Sequence, residues 1–154
     1  MITKSELHPM LKNLISILGL LLAAAAMAGL LFIHHLFAKS PSLIAVQVAA
    51  ALLMIWARMT FGLRSFHAAA STSDGGLVTT GPYRYWRHPI YASIIFFVWA
   101  GQIQAPGAVP LALAATITLG LLARMLIEER FLIHAYPEYP TYARKAKRLI
   151  PFVY

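Results

Sequence analysis

Residues 14–37, LISILGLLLAAAAMAGLLFIHHLF, run for 24 positions without an Asp, Glu, Lys or Arg. About 20 predominantly apolar residues suffice to carry a helix across a bilayer. The stretch exceeds the roughly 7–15 residues of a signal-peptide core, and more apolar stretches follow. It therefore reads as a retained span, although Lys4 and Lys12 precede it. Three further stretches cover residues 42–61, 89–104 and 108–127. The third is short, reaching only about 24 Å at the helical rise per residue. Between the last two lies the uncharged QAPGA, which predicts a tight hairpin turning at Pro106-Gly107.

The fold expected is all-α: a polytopic membrane protein with about four transmembrane helices and an interfacial C-terminal helix. Residues 1–154 read as one domain, with two spans in 1–61 and a more polar half in 71–152. A chain that is 60% hydrophobic and 12% charged is a poor candidate for a small soluble enzyme or a disordered tail. With no cysteine, disulfides, thiolate metal sites and cysteine nucleophiles drop out together.

The net charge of +8 is unevenly placed. Lys4 and Lys12 lie in the amino tail, Arg58, Arg64, Arg84 and Arg87 around the central loop, and Arg124, Arg130, Arg144, Lys145, Lys147 and Arg148 at the far end. Lys39 is the one basic residue in the other two connections. Cytoplasmic loops carry the excess of Lys and Arg, so both termini and the central loop are expected in the cytoplasm. The basic residues then meet anionic headgroups, and no nucleic-acid partner is expected.

That orientation brings two polar stretches to one side, residues 71–91 and 124–151, which hold every acidic residue except Glu6. Asp74-Gly75-Gly76 and Thr80-Gly81-Pro82 read as turns. Leu77 and Val78 between them are expected to run extended, with backbone groups open to a ligand's edge. Pro89 suits the first turn of a helix with His88 at its cap. Tyr83, Arg87, His88 and Tyr91 then gather at a helix amino terminus, where backbone donors and the dipole favour an anionic group. The competing reading makes the arginines and tyrosines interfacial anchors.

Arg124 and Glu128 are four apart and share a helix face, while Glu129 points about 100° away. Arg124 follows directly on an apolar run, and a charge at that depth faces a cavity or partner rather than lipid. The alternative is a surface ion pair beside a solvated carboxylate. Residues 141–150 read as a short basic amphipathic helix that either docks on the loop and closes the site or anchors to lipid. No HExxH, Walker-type loop or metal-spaced cluster occurs, and His34 and His35 diverge on a helix, so no metal is expected.

LVTTGPYRYWRHPIY, an apolar hairpin, the Glu128-Glu129 pair, and then EY..Y and LIP resemble the isoprenylcysteine carboxyl methyltransferase and phospholipid methyltransferase superfamily over residues 71–152. The resemblance implies an S-adenosyl-L-methionine-dependent methyltransferase acting on a lipophilic acceptor, with 71–152 the cofactor-binding half and its cofactor pocket on the cytoplasmic face. It implies cofactor contacts from the backbone of Leu77 and Val78, from Tyr83, from His88, Pro89, Ile90 and Tyr91, and from Glu128. Arg87 and Glu129 complete the candidate set. Arg124 matches the arginine that meets the acceptor's carboxylate in carboxyl methyltransferases, and His88 and Arg124 are the groups expected nearest the chemistry. Ser93 stands where that family often has Gly, and PEYP replaces an acidic Gly-containing turn.

Membrane sterol reductases, which take NADPH, share the RHPxY element but usually carry Asn where this chain has Ile90. A non-enzymatic membrane scaffold is the third reading, and it predicts no nucleotide binding and tolerance of Glu128→Ala.

Overall fold

A computed structural model describes residues 4–62 and 76–150. Five α-helices make up the described chain: α1 (Lys4–Phe32), α2 (Pro41–Phe61), α3 (Pro89–Gln104), α4 (Ala108–Ala135) and α5 (Tyr139–Lys145). A 3-10 turn, Gly81–Arg84, precedes α3. No strand occurs among the described residues, where one isolated bridge pairs Trp86 with Lys147. Asn13–Phe32, Pro41–Phe61 and Ala108–Ala135 are long and apolar enough to cross a membrane; Pro89–Gln104 is apolar but shorter.

The first span stops at Phe32, five residues before the expected boundary, for a local reason. His34 adopts a left-handed conformation at φ 58°. The His35 N–H then reaches back to the Leu30 carbonyl, and the His34 N–H to that of Leu31. This is a Schellman cap, a pattern that ends helices by satisfying their last carbonyls. The hairpin between α3 and α4 falls as expected, with Gly107 capping α4. α4 continues eight residues beyond the expected Ile127, so Glu128 and Glu129 sit inside a helix rather than at its end.

α1 and α4 run antiparallel in close contact. Gly19 and Gly120 meet there: a Cβ added to Gly120 would lie 2.5 Å from the Gly19 carbonyl oxygen. Small residues of this kind let helix backbones approach inside a bilayer. Ala23, Ala26 and Leu30 of α1 pack with Val98 of α3 and with Ala114, Ile117 and Leu121 of α4 to form the core. The outward faces of α1 and α2 carry Leu14, Leu18, Leu21, Leu22, Leu52 and Ile55, all exposed. An apolar surface of that extent is suited to lipid.

At the end of the bundle away from the site, backbone donors without helical partners are met by glutamines. Gln104 Oε1 accepts from the Lys39 and Ser40 N–H groups at 2.7 Å each. Gln47 accepts from Ala38 N–H and donates to the Leu36 and Phe97 carbonyls. Backbone groups that leave the helical ladder at helix ends need partners of this kind.

The C-terminal segment departs from expectation. α5 ends at Lys145 rather than continuing to Ile150. The chain instead straightens because its backbone pairs with the segment before α3. The Lys147 N–H donates to the Tyr85 carbonyl at 3.0 Å, and the Arg87 N–H donates to the Lys147 carbonyl at 2.6 Å. The segment thus docks against the loop, one of the roles expected for it. The turn expected at Asp74-Gly75-Gly76 lies outside the described residues except for Gly76.

Candidate active site

The site begins where the 3-10 turn leans on the end of α2. Gly81 has φ 56°, and a Cβ there would lie 2.6 Å from Thr60 Oγ1, so only glycine fits the turn against α2. Tyr83, buried, sets its ring 5.4 Å from that of Phe61. Tyr142 of α5 donates to the Tyr83 carbonyl at 2.7 Å. Burial, reinforced by the Glu128 charge, raises the Tyr83 phenol far above its ordinary pKa. Burial likewise pushes Tyr139 to about 12, helped by the Glu129 charge. Both are neutral hydroxyls at any physiological pH.

Pro89 occupies the first turn of α3 and His88 its cap, as the sequence predicts. The backbone donors expected to face an anion there are partly used. Arg87 N–H goes to Lys147, and His88 N–H goes to the Arg148 carbonyl at 3.3 Å. The side chains of this turn meet α4 instead.

Arg124 is buried, and each guanidinium nitrogen has a partner. Nε donates to Tyr91 Oη at 2.6 Å, Nη1 to Ser16 Oγ at 3.1 Å, and Nη2 pairs with Glu128 Oε1 at 3.1 Å. Tyr91 in turn donates to Glu128 Oε1 at 2.7 Å. The His88 ring stacks on Tyr91 with centroids 5.6 Å apart and an interplanar angle of 8°. His88 bridges the two glutamates, with Nδ1 3.8 Å from Glu128 Oε2 and Nε2 3.3 Å from Glu129 Oε1.

Glu129 is not the solvated carboxylate of the alternative reading. Its Oε1 also accepts from Arg87 Nη1 at 2.7 Å, and its Oε2 pairs with Arg148 Nε at 3.0 Å. The Glu129 side chain is 7% exposed and that of Glu128 23%. Leu77 and Val78 are half-buried and lie in neither helix nor strand; Pro89 is buried and Ile90 half-buried. Ser93, fully buried, returns its hydroxyl to the Ile90 carbonyl at 2.7 Å, so the extra side chain is accommodated without a polar loss.

Two members of the cluster, Ser16 and Arg148, are not legible in the sequence. Ser16 is 108 residues from Arg124 in the chain, and nothing in its surroundings marks it. Arg148 carried a signal only as one charge in a basic run. Beside the site, an open apolar groove of about 620 Å³ runs between α2 and α3, lined by Val46, Ala50, Leu53, Trp56, Phe96 and Trp86. Among the described residues, no group of three or more His, Cys, Asp or Glu side chains could hold a metal ion.

A helical membrane bundle with its ionisable groups gathered at one end is a frame for chemistry at a membrane surface. The sequence model for phospholipid methyltransferases matches residues 36–139, about two thirds of the chain, and the protein belongs to that family of membrane methyltransferases. Its relatives include the cobalt-zinc-cadmium resistance protein CzcN of Cupriavidus metallidurans, 37% identical over 76 residues, covering 49% of this chain and 35% of that protein. Methanethiol S-methyltransferase 1 of Bradyrhizobium diazoefficiens is 35% identical over 71 residues, covering 46% of this chain and 24% of that protein. The matched segments thus cover about a third or less of these relatives' length. No solved structure matches the chain.

Proposed function

We propose that this protein transfers a methyl group from S-adenosyl-L-methionine to a lipophilic acceptor, with the polar end of the bundle and both termini in the cytoplasm. The observation that carries this reading is Glu128. It is a carboxylate held by Tyr91 and Arg124 yet partly open, on the turn of α4 that meets the start of α3. A carboxylate with unused acceptor capacity suits the amino group or the ribose hydroxyls of such a cofactor.

Leu77 and Val78 would hold the cofactor by backbone. Tyr83, His88, Pro89, Ile90, Tyr91 and Glu128 would line it by side chain or surface, and the Arg87–Glu129 pair would stand behind them. The stacked His88 and Tyr91 rings offer a face to a sulfonium, a cation–π contact. Bound, the cofactor supplies an electrophilic methyl group on a positively charged sulfur. The chain then has to contribute alignment at near-attack distance and a dry surround. Arg124 would stand on the acceptor side; its guanidinium is already matched by Glu128, so an anionic acceptor must share it. The apolar groove reaching Trp86, two residues from His88, gives a lipophilic acceptor a path from the bilayer. The methanethiol S-methyltransferase relative makes a thiol the first acceptor to try, ahead of carboxylates and amines.

The test is calorimetric titration of the detergent-purified protein with S-adenosylhomocysteine and, separately, with NADPH. Micromolar binding of the former, lost in Glu128→Ala, is the expected result. Binding of NADPH alone would move the protein to reductase chemistry, and a folded sample that bound neither would leave the scaffold reading.

A further inference from the structure

We propose that the adjacent glutamates divide their work: Glu128 meets the ligand, while Glu129 is a positioning residue that with Arg148 clamps the C-terminal segment across the start of α3 and fixes His88. The assignment of Glu128 rests on the methyl-transfer reading; the clamp rests on the geometry alone.

Neighbours on a helix point about 100° apart, and here they look into different surroundings. Glu128 Oε2 lies 3.8 Å from the His88 imidazole, longer than a hydrogen bond. Glu129 has both oxygens engaged, Oε1 by Arg87 and His88 and Oε2 by Arg148, and is almost closed to solvent. A carboxylate so occupied has little capacity left for a ligand. Its partners come from two segments far apart in the chain, residues 87–88 and residue 148. They are the same segments whose backbones pair through Tyr85, Arg87, His88, Lys147 and Arg148.

Those contacts fix the imidazole from two directions. The backbone bonds to Lys147 and Arg148 set where His88 leaves the loop. Glu129 takes Nε2, which leaves Nδ1 on the edge turned to Glu128. Orientation of a functional imidazole through its other nitrogen is a recurrent device. Removing one partner from a buried charged cluster leaves the others uncompensated, so losing Arg148 acts on His88 through the Glu129 carboxylate that both contact.

The experiment uses the full chain in detergent and the variants Glu129→Gln, Arg148→Ala, Arg148→Lys and Glu128→Gln. Glu129→Gln and Arg148→Ala should each weaken S-adenosylhomocysteine binding by about tenfold, and the double variant by no more than Glu129→Gln alone, because contacting groups are non-additive. Arg148→Lys should recover most of the affinity. Amide hydrogen exchange without ligand is the second readout. The Arg87 and His88 amides should lose protection in Arg148→Ala and Glu129→Gln and keep it in Glu128→Gln.

Additive effects of Glu129→Gln and Arg148→Ala would overturn the clamp. So would lost binding in Glu129→Gln with full affinity and unchanged protection in Arg148→Ala, which would make Glu129 a direct ligand contact. If the wild type bound no S-adenosylhomocysteine, the methyl-donor reading and the role of Glu128 would fall, and amide exchange would still decide the clamp.

Discussion

Tyr91 is the smallest lever on the site. Its hydroxyl accepts from Arg124 and donates to Glu128, so one oxygen joins a cation and a carboxylate that also touch each other directly. Tyr91→Phe keeps the ring, its stacking on His88 and nearly all its volume. It leaves the Arg124 Nε–H without its partner in a buried place, a loss of about 1–3 kcal/mol. The expected outcome is a lower thermal midpoint in detergent together with weaker S-adenosylhomocysteine binding. Unchanged stability would mean that water replaces the hydroxyl. At this scale the sequence is informative where spacing is local: Arg124 and Glu128 pair because they are four apart on a helix. It is silent where partners are remote. Ser16 meets Arg124 only because α1 lies along α4, and Glu129 is buried only because residues 87 and 148 come to it.

Among the elements, α1 and α4 make the closest contact, and it is built on the absence of side chains. Gly120→Ala would set a methyl 2.5 Å from the Gly19 carbonyl oxygen, against backbone rather than a movable side chain. The two helices must then separate, and overpacking of this kind costs about 1–3 kcal/mol. The consequence should reach the site, since Ser16 and Arg124 lie one turn from the glycine pair on the same two helices. Thermal unfolding and S-adenosylhomocysteine affinity should therefore fall together, and a stability loss with unaltered affinity would show that α1 does not position Arg124. The helices themselves are legible from hydropathy, because lipid leaves little choice between helix and nothing. Their ends are less so. The Schellman turn at His34 uses a residue that does not advertise a left-handed conformation. The straightening after Lys145 is decided by backbone partners at Tyr85 and Arg87, which outweigh the amphipathic pattern of residues 141–150.

For the whole molecule, the arrangement of ends is a matter of geometry, and its direction in the cell is the proposal. The Lys39 N–H bonds to Gln104, so the α1–α2 and α3–α4 connections lie together at one end. The 3-10 turn, the start of α3, the end of α4 and α5 meet at the other. Among the described residues the basic ones lie in the segments at that second end with Lys39 as the exception, which is what retention in the cytoplasm requires. A chain without cysteine is its own blank for labelling. Lys39→Cys and Ala105→Cys, both at exposed positions, should react with a membrane-impermeant maleimide added outside intact cells. Arg84→Cys and Lys145→Cys, exposed at the other end, should react only after the membrane is opened. The reverse pattern would put the site on the outer face, where S-adenosyl-L-methionine made in the cytosol does not reach it. The bundle geometry would survive that result unchanged, whereas the proposed methyl donor would not.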